Sequence, residues 1–494
     1  MKLRWLLPLF AIVPVGAALL AIQSCGGVGG ATKGGGGGGG STVTQDFLNL
    51  LPPAQKNASY IGADGCVAGT CHGGKGAAQL ASTTNGPDDP IYAHWKNTKH
   101  AAKGVTCERC HGPGSVHAAS PAKDNILTFP KSTDPVVCAQ CHGPTVDQYN
   151  HSIHNELIEA PVEEAGSNPA TYGRASRCIV CHSGLMRAQF TEQGVDPATM
   201  TDDQFKQVSS DTIAIEPHTA TCATCHNPHS QTGNLNADGE EKQIRHKTFN
   251  TDTSQIGPGT TPAQFTNFDH ICAQCHNGRG TDPADAKLNS STARPPMHDS
   301  PQFNMLMGVG GVVGSGAVQS NTAHATAPGQ CSKCHMPNGR HTFTTSYDIS
   351  CSPCHTTADA AARAESIKTE VLSGLVDLRN RMATWAKATF PGQTGNDTFW
   401  DYTTNVQAQG FTPPNQASVV IQVKRARYNY WFIIRAGDYG VHNAPYAKYL
   451  LQVANENLDA IGVPSGLHSN MSKSSMLQLI QSDKTRAHLA EEGE

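Results

Sequence analysis

Paired cysteines followed at once by a histidine are the most informative residues of this chain. The 494 residues include 17 cysteines and 23 histidines, and sixteen of the cysteines form such pairs. In this spacing two thioethers hold the edge of a porphyrin and the adjacent imidazole binds its iron. Eight haem c groups are therefore predicted, or seven if the first, longer motif is unused. The motifs are Cys66/Cys71/His72 (the longer one), Cys107/Cys110/His111, Cys138/Cys141/His142, Cys178/Cys181/His182, Cys222/Cys225/His226, Cys272/Cys275/His276, Cys331/Cys334/His335 and Cys351/Cys354/His355.

Zinc and disulfides explain these cysteines less well. A structural zinc ion takes four protein ligands and gives no reason for a histidine after every pair. Disulfides between cysteines that are separated by two residues occur mainly as redox-active pairs, not as a repeated framework.

The second axial ligand of each iron decides what such a site can do. A second side chain closes the iron and suits it to electron transfer, whereas an open position permits substrate chemistry. Fifteen histidines lie outside the motifs. Those near a motif or in a repeated pattern are predicted to be ligands: His100, His117, His154, His218, His229, His298, His324, His341 and His442. Second choices are His94, His151, His246 and His270, and four methionines that are more often packing residues (Met186, Met305, Met307 and Met336).

Two short patterns recur near the motifs. Trp95-x-x-Thr98-x-His100 is repeated as Tyr149-x-x-Ser152-x-His154, and Cys-His-Gly-Pro occurs at residues 110–113 and 141–144.

The N-terminus has the features of an export signal. Residues 1–24 combine a basic start, an apolar run and small residues near the end, which is typical of a signal peptide. Ile22-Gln23-Ser24-Cys25 resembles a bacterial lipobox with Cys25 as the lipidated residue; a simple secretory signal or an uncleaved anchor is the alternative. The glycine-rich stretch that follows predicts a flexible tether within residues 25–59. These features predict an exported outer-membrane lipoprotein that faces the periplasm or the cell exterior.

The composition agrees with a polypeptide wrapped around cofactors. Only 38% of the residues are hydrophobic and 6% aromatic, while 30 prolines and 49 glycines indicate extensive loops. Few segments between residues 60 and 355 are periodic, so we expect short helices around a haem core there. A net charge of −4 gives no basic surface for nucleic acid. The predicted fold is mainly α with extensive loops.

Residues 356–494 contain no cysteine and are predicted to form long helices. An apolar stripe with helical spacing predicts a helix that ends before Pro391: Ile367, Val371, Leu375, Leu378, Met382 and Trp385. Further helices are predicted over 416–436 and 444–461. The resulting bundle is expected to pack on the haem core and is a possible oligomer surface.

Several of these segments resemble a known superfamily of multihaem cytochromes. Residues 331–355, with His341 between the last two motifs, resemble ammonia-forming cytochrome c nitrite reductase, as does Gly440-Val441-His442-Asn443-Ala444-Pro445. Residues 95–117 and 149–154 are similar to octahaem proteins of the hydroxylamine oxidoreductase type. The resemblance covers about residues 60–460 and implies that His442 is a distal haem ligand.

Two functions follow from these patterns. Eight histidine-type motifs and the tether favour electron relay to other redox proteins or extracellular acceptors. The resemblance implies an alternative, an oxidoreductase acting on a small nitrogen compound at one open haem. By its order among the motifs, the motif of His182 would be that site. Residues 183–217 contain no histidine, so this haem has no distal ligand close by in the sequence. Tyr428, Tyr430 or Tyr439 could lie near it. The lysine that replaces the motif histidine in nitrite reductases of this family is absent here.

Overall fold

The computed structural model describes residues 43–68, 71–72, 91–156, 182–193, 201, 203, 216–251, 269–278, 282–289, 300–320, 322–352, 354–401, 416–466 and 471–491. The predicted signal peptide, Cys25, Cys178, Cys181 and His298 lie outside these residues.

The described residues are mainly helical, as predicted, and contain isolated β-bridges but no strand. Most helices are short and are joined by loops. The helices are α1 (Gln45–Leu50), α2 (Gly62–Val67), α3 (Ile91–Trp95), α4 (Lys99–Ala102), α5 (Cys107–His111), α6 (Ser115–Ala119), α7 (Pro135–Asn150), α8 (Gly184–Gln193), α9 (Cys222–Cys225), α10 (Asp285–Leu288), α11 (Gln302–Met307), α12 (Thr322–Ala325), α13 (Cys331–His335), α14 (Thr357–Thr389), α15 (Ile421–Ala436), α16 (Ala444–Asp459) and α17 (Lys473–Glu491).

The folded part begins earlier than the sequence indicates. Residues 43–59, expected to belong to the tether, form α1 and a 3-10 turn at Pro53–Asn57. Phe47 and Leu51 are buried against Leu127 and Val137. The cause is an apolar pattern too short to be recognised beside the glycine-rich stretch.

The described residues up to 355 form little apolar core of their own. Apart from the α1 cluster, Ala273 and Phe303 form a second small buried group. A segment without a sizeable apolar face cannot sustain long helices by packing, which explains why the helices here are mostly one or two turns long. Helices α7 and α8 are longer, with 16 and 10 residues. Helix α7 bends at His142, whose φ of −107° and ψ of 32° are not helical.

The C-terminal region is built on a continuous apolar core. Helices α14 to α17 bury a large set of side chains that includes Val371, Trp431, Tyr446 and Leu450. The predicted stripe of α14 is confirmed: its central four residues are fully buried and its two outer ones partly buried. Helix α15 begins at Ile421, later than the predicted start at 416, and Val420 before it is extended. Helix α17 was not recognised in the sequence analysis.

Buried ion pairs add specificity to this core. The Arg427 guanidinium donates to Asp401 Oδ1 at 2.7 Å, and both side chains are almost fully buried. Asp483 accepts from Arg379 Nε at 2.6 Å and from the Tyr430 hydroxyl at 2.7 Å. Removing one partner of such a pair leaves an uncompensated buried charge, so these contacts fix the relative position of the helices.

The helical core also reaches into the region of the motifs. Leu288, Met305 and Val312 belong to the same apolar cluster as α14 to α16. Asn429 in α15 bonds both the N–H and the carbonyl of Val312, at 2.8 and 2.9 Å. The bundle therefore holds the segment between the motifs of His276 and His335. Within the part of the chain that the structure describes, no helix is long and apolar enough to cross a membrane.

Candidate haem sites

Most described attachment motifs form a turn of helix. Helices α5, α9 and α13 each begin at the first cysteine of a motif, and Cys272–Gln274 forms a 3-10 turn. Residues three apart in a helix project from the same side, so both thiols can meet one porphyrin edge. The histidine N–H bonds the carbonyl of the first cysteine, for example His226 N to Cys222 O at 3.0 Å and His276 N to Cys272 O at 2.9 Å.

The longer first motif closes in the same way. His72 N donates to Cys66 O at 3.1 Å although two more residues separate them than in the other motifs. Its second cysteine is brought back by a turn, in which Cys71 N donates to Ala68 O at 3.1 Å. The local geometry therefore fits an attachment site here as well.

Seven motif histidines each face a second histidine from elsewhere in the chain. The ring centres are 5.9–6.4 Å apart, with the motif histidine given first: His72–His117, His111–His229, His142–His100, His226–His341, His276–His154, His335–His442 and His355–His324. Direct contact between two rings gives no reason for the same separation to recur in seven separate pairs.

This spacing fits a metal held between two imidazoles. Two imidazoles that bind one metal from opposite sides, each through a nitrogen roughly 2 Å from it, have ring centres about 6 Å apart. Burial lowers the pKa of His154 and His229 to about 4. Both rings are therefore neutral at pH 7, which is the form that offers a lone pair to a metal.

The other ring nitrogen of several of these histidines is held by the backbone. His111 Nδ1 lies 2.7 Å from Leu127 O, and His226 Nδ1 lies 2.9 Å from Lys242 O. Among the facing histidines, His117 Nδ1 is 3.1 Å from Ala122 O and His341 Nδ1 is 2.8 Å from Gly339 O. A carbonyl can only accept, so Nδ1 carries the proton and Nε2 is left for a metal, as is usual for ligand histidines.

The repeated pattern around His100 and His154 has a structural explanation. The hydroxyls of Thr98 and Ser152 each donate to the carbonyl of the aromatic residue three positions earlier, both at 2.7 Å. The backbone N–H groups of both residues bond the same carbonyls. The turn that results presents a histidine two residues later, and both of these histidines face a motif histidine.

The Cys-His-Gly-Pro repeat is not equivalent in its two copies. Gly112 has φ of 74°, and a Cβ there would lie 2.6 Å from Leu51 Cδ2 and 2.7 Å from Gln55 Nε2. Gly143 lies inside α7 with nothing near its Cβ position. Only the first copy therefore requires glycine, because α1 and the following turn pack directly on it.

Neighbouring cysteines place the motifs in one row. Six pairs of thiols from different motifs lie close enough for each thiol to affect the pKa of its neighbour. In order along the row, the pairs are Cys66–Cys107, Cys110–Cys141, Cys138–Cys222, Cys225–Cys275, Cys272–Cys331 and Cys334–Cys351. Each inner motif is next to its two neighbours through different cysteines. Seven motifs therefore form a continuous series from residue 66 to residue 354.

The residues that follow His182 lie beside this row. Gly184 N donates to Thr219 O at 2.7 Å, and a Cβ on Gly184 would clash with Thr224 Cγ2. Helix α8 thus packs directly on α9, which carries the Cys222 motif, the fourth member of the row.

Two predicted distal histidines do not belong to the seven pairs. His298 lies outside the described residues. His218 Nδ1 is 2.5 Å from Glu216 Oε1, a carboxylate that the sequence analysis did not single out. Its position next to Thr219 places it near α8 but in none of the ring pairs with a motif histidine.

The second-choice residues have other contacts. His270 Nδ1 accepts the N–H groups of Cys272 and Ala273, so it caps the turn of that motif. His151 is largely exposed and contacts Asp147 O within its own helix. Met186 and Met305 are fully buried, as expected of packing residues.

The tyrosines implied by the resemblance are occupied within the C-terminal region. The Tyr428 hydroxyl donates to Gly310 O at 3.1 Å, and the Tyr430 hydroxyl donates to Asp483. Both side chains are fully buried in the helical core. Tyr439 is partly buried against the same core.

No protein-family model matches the chain, and no curated protein matches it. Among solved structures, the chain is similar to the undecahaem cytochrome from the S-layer of Carboxydothermus ferrireducens, with 20% identity and a TM-score of 0.45 over 84% of this chain and 56% of that one. It is also similar to the outer cell wall cytochrome OcwA, with 18% identity and a TM-score of 0.43 over 72% of this chain and 70% of that one. This chain thus spans little more than half of the first structure. Neither is described as a hydroxylamine oxidoreductase or a nitrite reductase, and at this similarity the site assignment depends on the chain's own residues.

Proposed function

We propose that this chain is a multihaem c-type cytochrome that binds eight haem c groups and relays electrons. The observation that carries the proposal is the set of seven imidazole pairs, each joining an attachment-motif histidine to a second histidine about 6 Å away. When bound, haem supplies one-electron chemistry. The sixteen motif cysteines hold the cofactors covalently, and the paired imidazoles leave their irons no open position for a substrate.

The row of motif contacts supports a relay. Adjacent motifs lie next to each other through their cysteines, so the attachment edges of neighbouring haems would be close together from one end of the row to the other. The two ends are accessible: Cys71 at one end and Cys354 at the other are exposed. Other redox proteins or extracellular acceptors could therefore exchange electrons at either end.

The proposed cellular location rests on the N-terminal sequence. The signal sequence and Cys25 support export and attachment to the outer membrane through lipid. Labelled palmitate should be incorporated into the unaltered chain but not into Cys25→Ser. Incorporation in both would exclude this anchor.

Haem counting and low-temperature electron paramagnetic resonance test the proposal. Intact-mass measurement should give eight haems per chain, and the oxidised protein should show low-spin signals for the seven paired sites. A count of seven with Cys66 and Cys71 free would exclude the longer motif. High-spin signals from several irons would contradict the relay.

The same spectra test the alternative function, an enzyme acting at the His182 site. Nitrite or hydroxylamine should leave the spectra unchanged if every iron is closed. A high-spin signal that shifts with these compounds, and that disappears in Cys178→Ser/Cys181→Ser, would favour the enzyme.

A further inference from the structure

A buried carboxylate holds the histidine that faces the motif of His335. Asp438 Oδ2 lies 3.1 Å from His442 Nδ1 and accepts the backbone N–H of the same residue at 2.5 Å. The Asp438 side chain is 9% exposed. Its other oxygen, Oδ1, and the His442 Nδ1 atom are both buried, and neither makes a hydrogen bond within the described parts of the chain. The carboxylate therefore acts on the ring through its charge at 3.1 Å, and it holds the residue through the backbone N–H.

The turn that makes this contact is rigid. Gly437 ends α15 in a left-handed conformation, and Gly440 has φ of 90° where a Cβ would lie 3.0 Å from Val371 Cγ2. Asn443, fully buried, caps α16 and bonds Leu306 O at 3.1 Å. Two core helices therefore fix both ends of the turn that carries Asp438 and His442.

The contact differs from those of three other facing histidines. His117, His341 and His324 have their Nδ1 atoms next to backbone carbonyls, which are neutral. The carbonyl beside His324 is that of His442 itself, at 3.4 Å. The turn thus orients the facing histidines of the last two motifs, but a negative charge acts on only one of them.

We propose that Asp438 is a positioning residue that fixes His442 and lowers the reduction potential of the haem attached at Cys331 and Cys334. A carboxylate 3.1 Å from Nδ1 favours the proton on that nitrogen, which leaves Nε2 for a metal and makes the imidazole a stronger donor. A buried negative charge also favours the more positive, oxidised iron, because the attraction is poorly screened there. The proposal rests on the proposed function, since it takes His335 and His442 as the ligands of that haem.

Asp438→Asn in the full-length, haem-loaded protein tests this. It removes the charge and keeps the shape, so one haem should become easier to reduce. At the potential where that haem is half reduced in the unaltered protein, its ratio of reduced to oxidised form should rise about tenfold, the order of magnitude expected for one poorly screened unit charge near the iron. Potentiometric titration followed by electron paramagnetic resonance measures the ratio, and all signals should stay low-spin.

Asp359→Asn is the matched control. Asp359 Oδ2 lies 3.7 Å from His355 Nδ1, but both side chains are about 40% exposed, so water screens the charge. Its effect should be within about twofold. A change in Asp438→Asn no larger than in this control, at full haem content in both, would overturn the proposal.

His442→Ala separates this proposal from the proposed function. It should convert one iron to high spin, and the low-spin signal that it removes should be among the last to be reduced in the unaltered protein. If that signal is instead among the first, the Asp438 proposal is wrong even where Asp438→Asn cannot be purified. If no high-spin iron appears, His442 is not a ligand and the pairing itself fails.

Discussion

The regions before and after residue 355 are stabilised in different ways. The C-terminal helices bury a continuous set of aliphatic and aromatic side chains, with Trp431 and Tyr446 fully covered. The region of the motifs has two small apolar clusters and many short helices in its described residues, yet it supplies every histidine of the seven pairs except His442. A chain with 38% hydrophobic residues can fold this way if its cofactors supply the apolar surface that its side chains lack.

The largest effect should come from withholding the cofactor. In full-length protein made without haem attachment, we expect α14 to α16 to keep slow amide exchange, because their core is made of side chains. Residues 91–156 should exchange rapidly, because nothing fills the space between their histidines. Hydrogen exchange followed by mass spectrometry compares the two forms. Equal protection of 91–156 with and without haem would remove the contrast between the regions.

Truncation in the helical core should have the next largest effect. Trp431→Ala deletes a fully buried ring that packs on Tyr430 and should cost about 3–5 kcal/mol. Val420→Ala, at an exposed position, should change the free energy of unfolding by about 0.5 kcal/mol at most. Denaturant unfolding followed by circular dichroism gives both values. Similar midpoints for the two variants would show that the core does not carry the stability of this region.

A smaller effect is expected where α1 and its following turn pack on the second motif. Gln55 Nε2 donates to His111 O at 2.6 Å and to Pro113 O at 3.1 Å, and Gln55 Oε1 accepts from Leu127 N at 3.0 Å. Gln55→Ala should cost about 1–3 kcal/mol because it leaves buried backbone groups without partners. Limited proteolysis within residues 43–59 should be faster in this variant than in the exposed control Gln45→Ala. Equal rates would mean that the segment is not held by Gln55.

The smallest effect on folding should accompany a clear change at one iron. His341→Ala removes a partly exposed ring that faces His226, so both regions should stay folded. One of the low-spin irons should become high-spin. His151→Ala, which changes an exposed histidine outside the seven pairs, should leave the spectrum unchanged. A low-spin spectrum in both variants would rule out His341 as a ligand.

The sequence alone was enough to predict the attachment sites, because covalent haem chemistry requires fixed spacing between neighbouring residues. It also predicted α14 from its apolar stripe, since helical periodicity is a local property. It missed the packing of residues 43–59 and the helix α17, whose patterns are weak. The sequence also predicted His218 as a distal ligand, whereas the ring of His218 contacts Glu216 in the structure.

Which histidines meet, and what surrounds them, was decided by tertiary structure. His229 lies 118 residues from His111, and His341 lies 115 from His226, so no local pattern could join them. The order of the motifs along the row and the packing of α8 on α9 depend on contacts between residues that are distant in the sequence. The sequence did not single out Asp438 for the same reason. A carboxylate four residues before a histidine is common, and its charge is poorly screened only when packed helices bury it.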